Sequence, residues 1–299
     1  MKSMLLGALE AGGTKMVLAV GDGKGQIMDK VSIPTTEPEE TMAGIVGYFK
    51  KHEIKALGVG CFGPLDLKAS SPTYGYITST PKLKWRNFPL VKTLKDTLSV
   101  PVALDTDVNG AALAESTLGA ARGLSSCLYV TVGTGIGGGL VVEGNLVHGL
   151  LHPEFGHMLL RPLEGDPAPD GFCPYHSGCL EGLACGPAVE KRWGVSAKEM
   201  GPDHPAWALE AAYLSQMCVN AIVSFSPEKI ILGGGVMQQM HLFPLIRKEV
   251  QRLLGGYVQH EAIISGMDEY IIPPGLNTQS GIIGAFLLAE KALVKGKNV

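Results

Sequence analysis

Apolar and polar positions along the chain alternate with glycine turns in two separate places. Residues 4–33, MLLGALEAGGTKMVLAVGDGKGQIMDKVSI, show three apolar runs divided by Gly-rich turns, the pattern of a three-stranded meander. The same grammar returns about 120 residues later in CLYVTVGTGIGGGLVVEGNLVHG, residues 127–149, which predicts a duplicated architecture in which each copy begins one lobe. After the first copy, TMAGIVGYFKKHEI has helical spacing and ALGVGCFGPLDL reads as a buried strand running into a loop. PLVKTLKDTLSV then reads as a helix and PVALDT as a strand. After the second copy come a long helix in HPAWALEAAYLSQMCVNAIVSFS, a strand in KIILGGG, and helices in FPLIRKEVQRLLGG and SGIIGAFLLAEKALVKG. Strands alternating with helices predict an α/β protein with largely parallel pairing beyond the meanders.

The length of 299 residues exceeds the usual single core and favours two domains. The pattern divides them into a small lobe, residues 1–115 plus 282–299, and a large lobe, residues 116–281, which holds a Cys/His-rich loop. Short crossings near residues 110–122 and 275–285 are the natural place for a hinge. With 45% hydrophobic and 18% charged residues the chain has enough apolar content for a substantial interior, which excludes disorder. A net charge of −3, with Lys and Arg scattered, gives no basic stripe for nucleic acid. The apolar run at the start, in MKSMLLGALEAGG, is shorter than a signal-peptide core, so a cytoplasmic location is expected. The uncharged stretch between Arg122 and Glu143 is long enough to span a bilayer, yet it holds six glycines and alternates like strands. Six cysteines without an export signal point to a reducing compartment, with Cys61, Cys127, Cys185 and Cys218 as isolated core residues.

Forty glycines are nearly twice the average share, and they cluster. In EAGGTK, Glu10 to Lys15, backbone N–H groups at Gly12 and Gly13 lie uncovered beside the Thr14 hydroxyl and the Lys15 charge, the outline of a phosphate cradle. GTGIGG, residues 133–138, matches G-x-G-x-x-G formally, but strand-like LVVEG follows where a dinucleotide fold demands a helix. A hairpin turn presenting amides to phosphate is the better reading, and ILGGGV, Ile231 to Val236, adds a third such turn. No G-x-x-x-x-G-K-[ST] occurs, which excludes a P-loop enzyme. Just past the strand PVALDT stand Asp105 and Asp107, where active-site groups of open α/β sheets collect. Asp107 could also cap the helix that begins there, which does not exclude catalysis. Cys173, His176 and Cys179 follow C-x2-H-x2-C, a spacing that can wrap a tetrahedral Zn²⁺ but is one ligand short.

In order and spacing, EAGGTK, LDTDVNGAALAE, VTVGTGIGGG, HPEFGH, CPYHSGCLEG and ILGGGV resemble the motifs of the ROK family (repressor, ORF, kinase) of sugar kinases, over about residues 5–287, and CPYHSGCLEGLACGP is most similar to its fructokinase branch. The resemblance implies an actin-like, ribonuclease H-like α/β fold with duplicated lobes and ATP-dependent phosphorylation of a hexose at its 6-hydroxyl, Mg²⁺ accompanying the nucleotide and fructose favoured. Glucokinase, mannokinase or N-acetylhexosamine kinase activity is the alternative, and a sugar sensor without catalysis a further one. A sugar hydroxyl is a poor nucleophile, so transfer needs a carboxylate beside it and amides or fixed positive charge around the phosphoryl group. The family pattern maps the general base onto Asp107, with Asn109 beside it. Thr106 stands where many relatives have Asn, and Glu10 where they often have Asp. By the same resemblance Gly12, Gly13, Thr14, Lys15, Gly133, Thr134, Gly135, Pro187, Gly233, Gly234, Gly235 and Val236 hold ATP. Thr106, Asp107, Glu154, His157 and Glu181 bind the sugar, and His157 completes a structural zinc site with Cys173, His176 and Cys179. His152 is the competing fourth ligand. A homodimer and closure of the lobes around the sugar are also implied.

Overall fold

A computed structural model describes residues 4–296, which divide into two compact units. The first takes the described residues of Met1–Arg122, Leu146–Pro153 and Gln279–Val299, and the second takes Gly123–Asn145 and Glu154–Thr278. The chain therefore changes unit at residues 122, 145, 153 and 278 instead of only at 115 and 281. The segment Leu146–Pro153 joins the first unit because His148 and His152 are hydrogen-bonded to Asp105 and Leu65 there.

The first unit is built on a five-stranded sheet of order β3-β2-β1-β4-β5, from β1 (Leu6–Ala11), β2 (Lys15–Gly21), β3 (Ile27–Pro34), β4 (Leu57–Cys61) and β5 (Val102–Thr106). The meander expected over residues 4–33 is β1 to β3, antiparallel throughout, and β4 and β5 continue in parallel from β1. The second unit has the order β10-β9-β6-β7-β8, from β6 (Cys127–Val132), β7 (Ile136–Val142), β8 (Asn145–Leu146), β9 (Ile230–Gly233) and β10 (Ile271–Ile272). Here β6 and β7 are antiparallel, while β9 and β10 run parallel to β6. Read from the third strand of each meander, both sheets run third, second, first, fourth, fifth, so the duplication seen as a repeated turn grammar is a duplication of topology. The uncharged stretch is spent on β6 and β7, and among the described residues no helix is long and apolar enough to cross a membrane.

The helices are α1 (Pro38–Phe49), α2 (Leu90–Leu98), α3 (Asp107–Thr117), α4 (Leu180–Ala184), α5 (Gly186–Trp193), α6 (Ala206–Phe225), α7 (Leu242–Leu254), α8 (Glu261–Ile264), α9 (Met267–Tyr270) and α10 (Ser280–Gly296). Their positions follow the apolar spacing: α7 buries Leu242, Phe243, Ile246, Val250 and Leu254, an i, i+4 stripe. In the first unit Leu9, Leu18, Ile45, Phe49, Leu57 and Trp85 form the centre of the core, all essentially inaccessible. The isolated cysteines Cys61, Cys127, Cys185 and Cys218 are buried, as expected of small apolar groups.

Helix α10 lies unusually close to α3 and β4. A Cβ on Gly284 would sit 1.9 Å from the Gly110 carbonyl oxygen, and one on Gly58 would sit 1.8 Å from that of Ala285. Absent side chains thus set the depth at which α10 seats, and with it the position of Glu10, whose carboxylate packs against Gly281 of α10. The substitution Gly284→Ala forces α10 away from α3 and is expected to cost about 1–3 kcal/mol, the usual penalty of overpacking. Urea and thermal unfolding of the variant beside the parent will read it, and an unchanged midpoint would contradict the close seating.

Candidate active site and metal loop

At the end of β5 the chain turns directly into α3, and Asp105, Thr106, Asp107 and Asn109 divide the work. Asp105 is 5% exposed, and its Oδ1 accepts hydrogen bonds from the Thr106 N–H at 2.9 Å and from Asn109 Nδ2 at 2.7 Å. His148 Nε2 lies 2.9 Å from Asp105 Oδ2 and 3.1 Å from Oδ1. Thr106 is the N-cap of α3, its hydroxyl accepting from the Asn109 N–H at 3.1 Å. Asp107 opens the helix itself, with Oδ1 taking the Val108 N–H at 2.9 Å, so the capping role that the sequence left open for Asp107 falls to Thr106. Asp105 is saturated with donors, which leaves Asp107 as the carboxylate at the helix start, partly exposed.

The register of the parallel strands carries this corner toward the first glycine turn. Glu10 pairs with Gly60, and Gly60 with Asp105, so the three lie on one rung, at the carboxyl ends of β1, β4 and β5. Burial pushes the Glu10 carboxyl above the usual carboxylate range, while the nearby Lys15 and Lys30 draw it back. Gly12, Gly13 and Thr14 make the β1–β2 turn, held by the Gly12 N–H to the Lys15 carbonyl at 3.1 Å and by Thr35, whose hydroxyl donates to the Gly12 carbonyl at 2.7 Å. Thr14 and Lys15 are exposed. Lys82 lies over this turn, its Cε 2.9 Å from where a Cβ on Gly13 would be. Sequence reasoning missed Lys82, because PKLKW carries no spacing that ties it to a turn 69 positions earlier.

In the second unit three glycine segments converge. The Gly186 N–H, opening α5, donates to the Gly133 carbonyl at 2.8 Å, and a Cβ on Gly133 would meet the Gly235 N–H at 3.8 Å. Gly234 has φ +92° and a Cβ there would strike Val132, so only glycine fits. Gly133, Thr134, Gly135, Pro187, Gly233, Gly234, Gly235 and Val236 therefore occupy one neighbourhood: the β6–β7 turn, the start of α5 and the end of β9.

The loop after β8 gathers His157, Cys173, His176 and Cys179, whose ligand atoms all lie within 4.8 Å of one another. His157 Nδ1 is 3.9 Å from Cys173 Sγ and 3.7 Å from Cys179 Sγ, and His176 Nδ1 is 3.6 Å from Cys173 Sγ. A tetrahedral ion with bonds of about 2.3 Å to sulfur and about 2.0–2.1 Å to nitrogen separates those atoms by roughly 3.6 Å, so the donor set fits zinc in both chemistry and spacing. Two backbone N–H groups point at the sulfurs, Tyr175 to Cys173 at 3.5 Å and Gly182 to Cys179 at 3.4 Å, and all six cysteines are free thiols. His157 turns its other nitrogen toward Glu181, 4.0 Å away, as a metal-bound imidazole does. Glu181 in turn accepts the Ile136 N–H at 2.8 Å, joining the metal loop to the β6–β7 turn. His152 is elsewhere: its Nε2 accepts the buried Leu65 N–H at 2.9 Å, which rules it out as the fourth ligand. Glu154 lies exposed at the entrance to a short 3-10 turn, Phe155–His157.

Connectivity defines the class: two sheets of identical order, each with a glycine turn between its first two strands, are those of the actin-like ATPases. The chain belongs to the ROK family, whose model matches residues 6–292. It is 47% identical over 290 residues to a fructokinase of Pediococcus pentosaceus, covering 97% of this chain and 99% of that one. It is 42% identical over 296 residues to the fructokinase of Zymomonas mobilis, with 96% and 97% covered. Among solved structures it is similar to a ROK hexokinase from Thermus thermophilus, at 30% identity and a TM-score of 0.79 over 98% of this chain and 100% of that one.

The metal loop has little regular structure, and a buried ion pair fixes it. Arg192 of α5 donates through Nε to Asp166 Oδ1 at 2.8 Å and through Nη1 to the Leu183 carbonyl at 2.7 Å, while the Tyr213 hydroxyl of α6 donates to Asp166 Oδ2 at 2.5 Å. Both charged side chains are 1% exposed or less. Replacing Asp166 with Ala strands the guanidinium, and a loss of about 3–5 kcal/mol is expected. The thermal midpoint of the second unit reads this loss, and a variant as stable as the parent would show that the ion pair does not hold the loop.

Proposed function

We propose that this chain transfers the γ-phosphoryl group of MgATP to the 6-hydroxyl of D-fructose, giving fructose 6-phosphate and ADP, in the cytoplasm and as a homodimer. The observation that carries the transfer is the corner at β5 and α3, where donors saturate Asp105 and Asp107 stands at the helix start on the strand ends that also bear Glu10 and the first glycine turn. The choice of fructose is supported by the full-length likeness to proteins named fructokinase.

In this reading Asp107 accepts the proton of the sugar hydroxyl as its oxygen attacks phosphorus in line with the leaving ADP oxygen. Gly12, Gly13, Thr14 and Lys15 offer amides, a hydroxyl and a charge to phosphate, with Lys82 adding a second cation over the same turn. Glu10 would face the Mg²⁺ that accompanies the nucleotide, an ion that would offset phosphate charge. Gly133, Thr134, Gly135, Pro187, Gly233, Gly234, Gly235 and Val236 take the nucleotide's share in the second unit. Thr106, Glu154, His157 and Glu181 contact sugar hydroxyls, charged acceptors being worth about 1.5–3 kcal/mol for each bond. Thr106 already accepts the helix N–H, so its part is to donate. His157, Cys173, His176 and Cys179 would hold zinc, which supplies a cross-link fixing the loop that bears Glu181.

With MgATP, kcat/KM should be highest for fructose among fructose, glucose, mannose and N-acetylmannosamine, and Asp107→Asn should lower kcat by about 10²–10⁴ with the fold intact. No turnover of any of the four sugars sinks the kinase reading, preference for another sugar sinks fructose, and near-normal activity of the Asn variant removes Asp107 as base. Metal analysis of purified protein should find one zinc per chain, lost together with thermal stability on Cys173→Ser. Less than about half an equivalent in the parent would count against the four-ligand site.

A further inference from the structure

The sequence assigns His148 no role, yet from outside the Asp105 turn it hydrogen-bonds both Asp105 oxygens. It stands in Leu146–Pro153, the segment that packs with the first unit, and this segment carries a second histidine. The two rings face different partners. His152 is 7% exposed and its Nε2 accepts the Leu65 N–H, so its partner is a donor. His148 faces acceptors on both sides: Nε2 meets both Asp105 oxygens, and the ring also hydrogen-bonds the Leu146 backbone carbonyl. An imidazolium, which donates from both nitrogens, is the form these acceptors suit.

We infer that His148 is a positioning residue for the catalytic corner: as an imidazolium it neutralises Asp105 and fixes it against Asn109, so that the charge of Asp105 does not bear on Asp107 two residues further on. The inference rests on Asp107 being the base. Asp105 and Asn109 are adjacent to the capping bond that starts α3, because Asn109 gives its Nδ2 to Asp105 and its backbone N–H to Thr106. The Asn109 amide and the His148 nitrogen are 3.4 Å apart and converge on the same Asp105 Oδ1, two donors sharing one acceptor. The charged groups bearing on this pair are few. Lys291 of α10 opposes the charge on His148, and Tyr74 feels the charge on Asp105, its hydroxyl held above the usual range by burial first and Asp105 second. The hydrogen bond to Asp105 outweighs both partial burial and Lys291 and raises His148 above the ordinary histidine value. The imidazolium therefore persists as pH rises past the point where a free histidine loses its proton.

Without His148, a bare carboxylate would remain buried beside Asp107, and like-charge repulsion would make Asp107 harder to ionise. In His148→Gln, which keeps a hydrogen-bonding side chain and removes the charge, the acid limb of the kcat profile should move up by about one pH unit, so that turnover near pH 6 falls by up to about tenfold while the alkaline plateau is retained. The double variant Asp105→Asn/His148→Gln, neutral at both positions, should bring the limb back. A limb that stays in place in His148→Gln, or one that does not return in the folded double variant, overturns the inference. A reading that needs no turnover is the ¹⁵N-resolved NMR spectrum of the His148 ring in the intact wild-type protein at about pH 7.5, a unit above the ordinary histidine pKa of about 6.5. Both nitrogens protonated supports the inference, and a neutral tautomer overturns it. The spectrum of Asp107→Asn should show the same ring state, so loss of the base reading and loss of the His148 assignment are told apart.

Discussion

The first unit depends on how a buried carboxylate is satisfied where a strand becomes a helix. Asp105 sits one rung before the end of β5 and is buried, and an unmet acceptor there would cost its whole desolvation. The Thr106 N–H, Asn109 Nδ2 and His148 Nε2 meet it, and these three bonds set the geometry of the whole corner. They orient Asn109, which frees its backbone N–H for the Thr106 cap, and the cap fixes the direction of α3 with Asp107 as its first residue. The helix start favours a carboxylate because the unpaired N–H groups of its first turn carry partial positive charge. Asp107 thus stands in the first turn of the helix that Asp105 helps to orient. The two aspartates are held differently, Asp105 by donors from three residues and Asp107 by its place in the first turn of α3.

A second constraint works on the metal loop, which has to hold shape with few backbone ladders. Its bonds come in layers. Leu160 and Leu180 pair their N–H groups with Gly178 and Met158, Cys179 caps α4, and the Arg192, Asp166 and Tyr213 network nails the loop's outer half to α5 and α6. Paired, hydrogen-bonded charge of this kind adds less to net stability than to the uniqueness of one arrangement, since any slip leaves a buried charge unpartnered. Held in this frame, the four ligand atoms lie at metal-binding separation.

Much of this was legible in the sequence where a feature repeats or has a fixed spacing. The two meanders, the long helix at Ala206–Phe225 and the C-terminal helix followed from apolar periodicity, and Cys173, His176 and Cys179 stood out because their ligands are near neighbours in the chain. The choice between His157 and His152 was open at that level, since both precede the cysteines by similar distances and only the Leu65 N–H separates them. Lys82 and His148 could not be read at all. Each reaches its partner across many residues and through loops, and a lone Lys or His in a loop has no period to betray it. The membership of Leu146–Pro153 in the first unit was hidden for the same reason, because two hydrogen bonds decide it while the sequence runs on without a break.

The duplication explains why the two units came to different work. Counting back from the first glycine of each turn, Glu10 on β1 corresponds to Thr131 on β6, and each pairs across a parallel neighbour with a glycine, Gly60 on β4 and Gly233 on β9. Both copies therefore keep a glycine on that rung where a neighbour comes close: a Cβ on Gly60 would lie 3.3 Å from the Asp107 Cα, and one on Gly233 2.8 Å from the Tyr129 hydroxyl. They part at the next strand. In the first unit the rung continues to Asp105 on a five-residue β5, followed at once by the capped helix that bears Asp107. In the second, β10 is two residues long and reaches only Ile230 and Ile231 of β9, so it ends before the rung of Gly233. No residue of the copy's fifth strand therefore pairs at the level that Asp105 occupies in the first unit. What remains open in the second are the glycine segments at β6–β7, α5 and β9, which suit a ligand that asks for amides more than for a base.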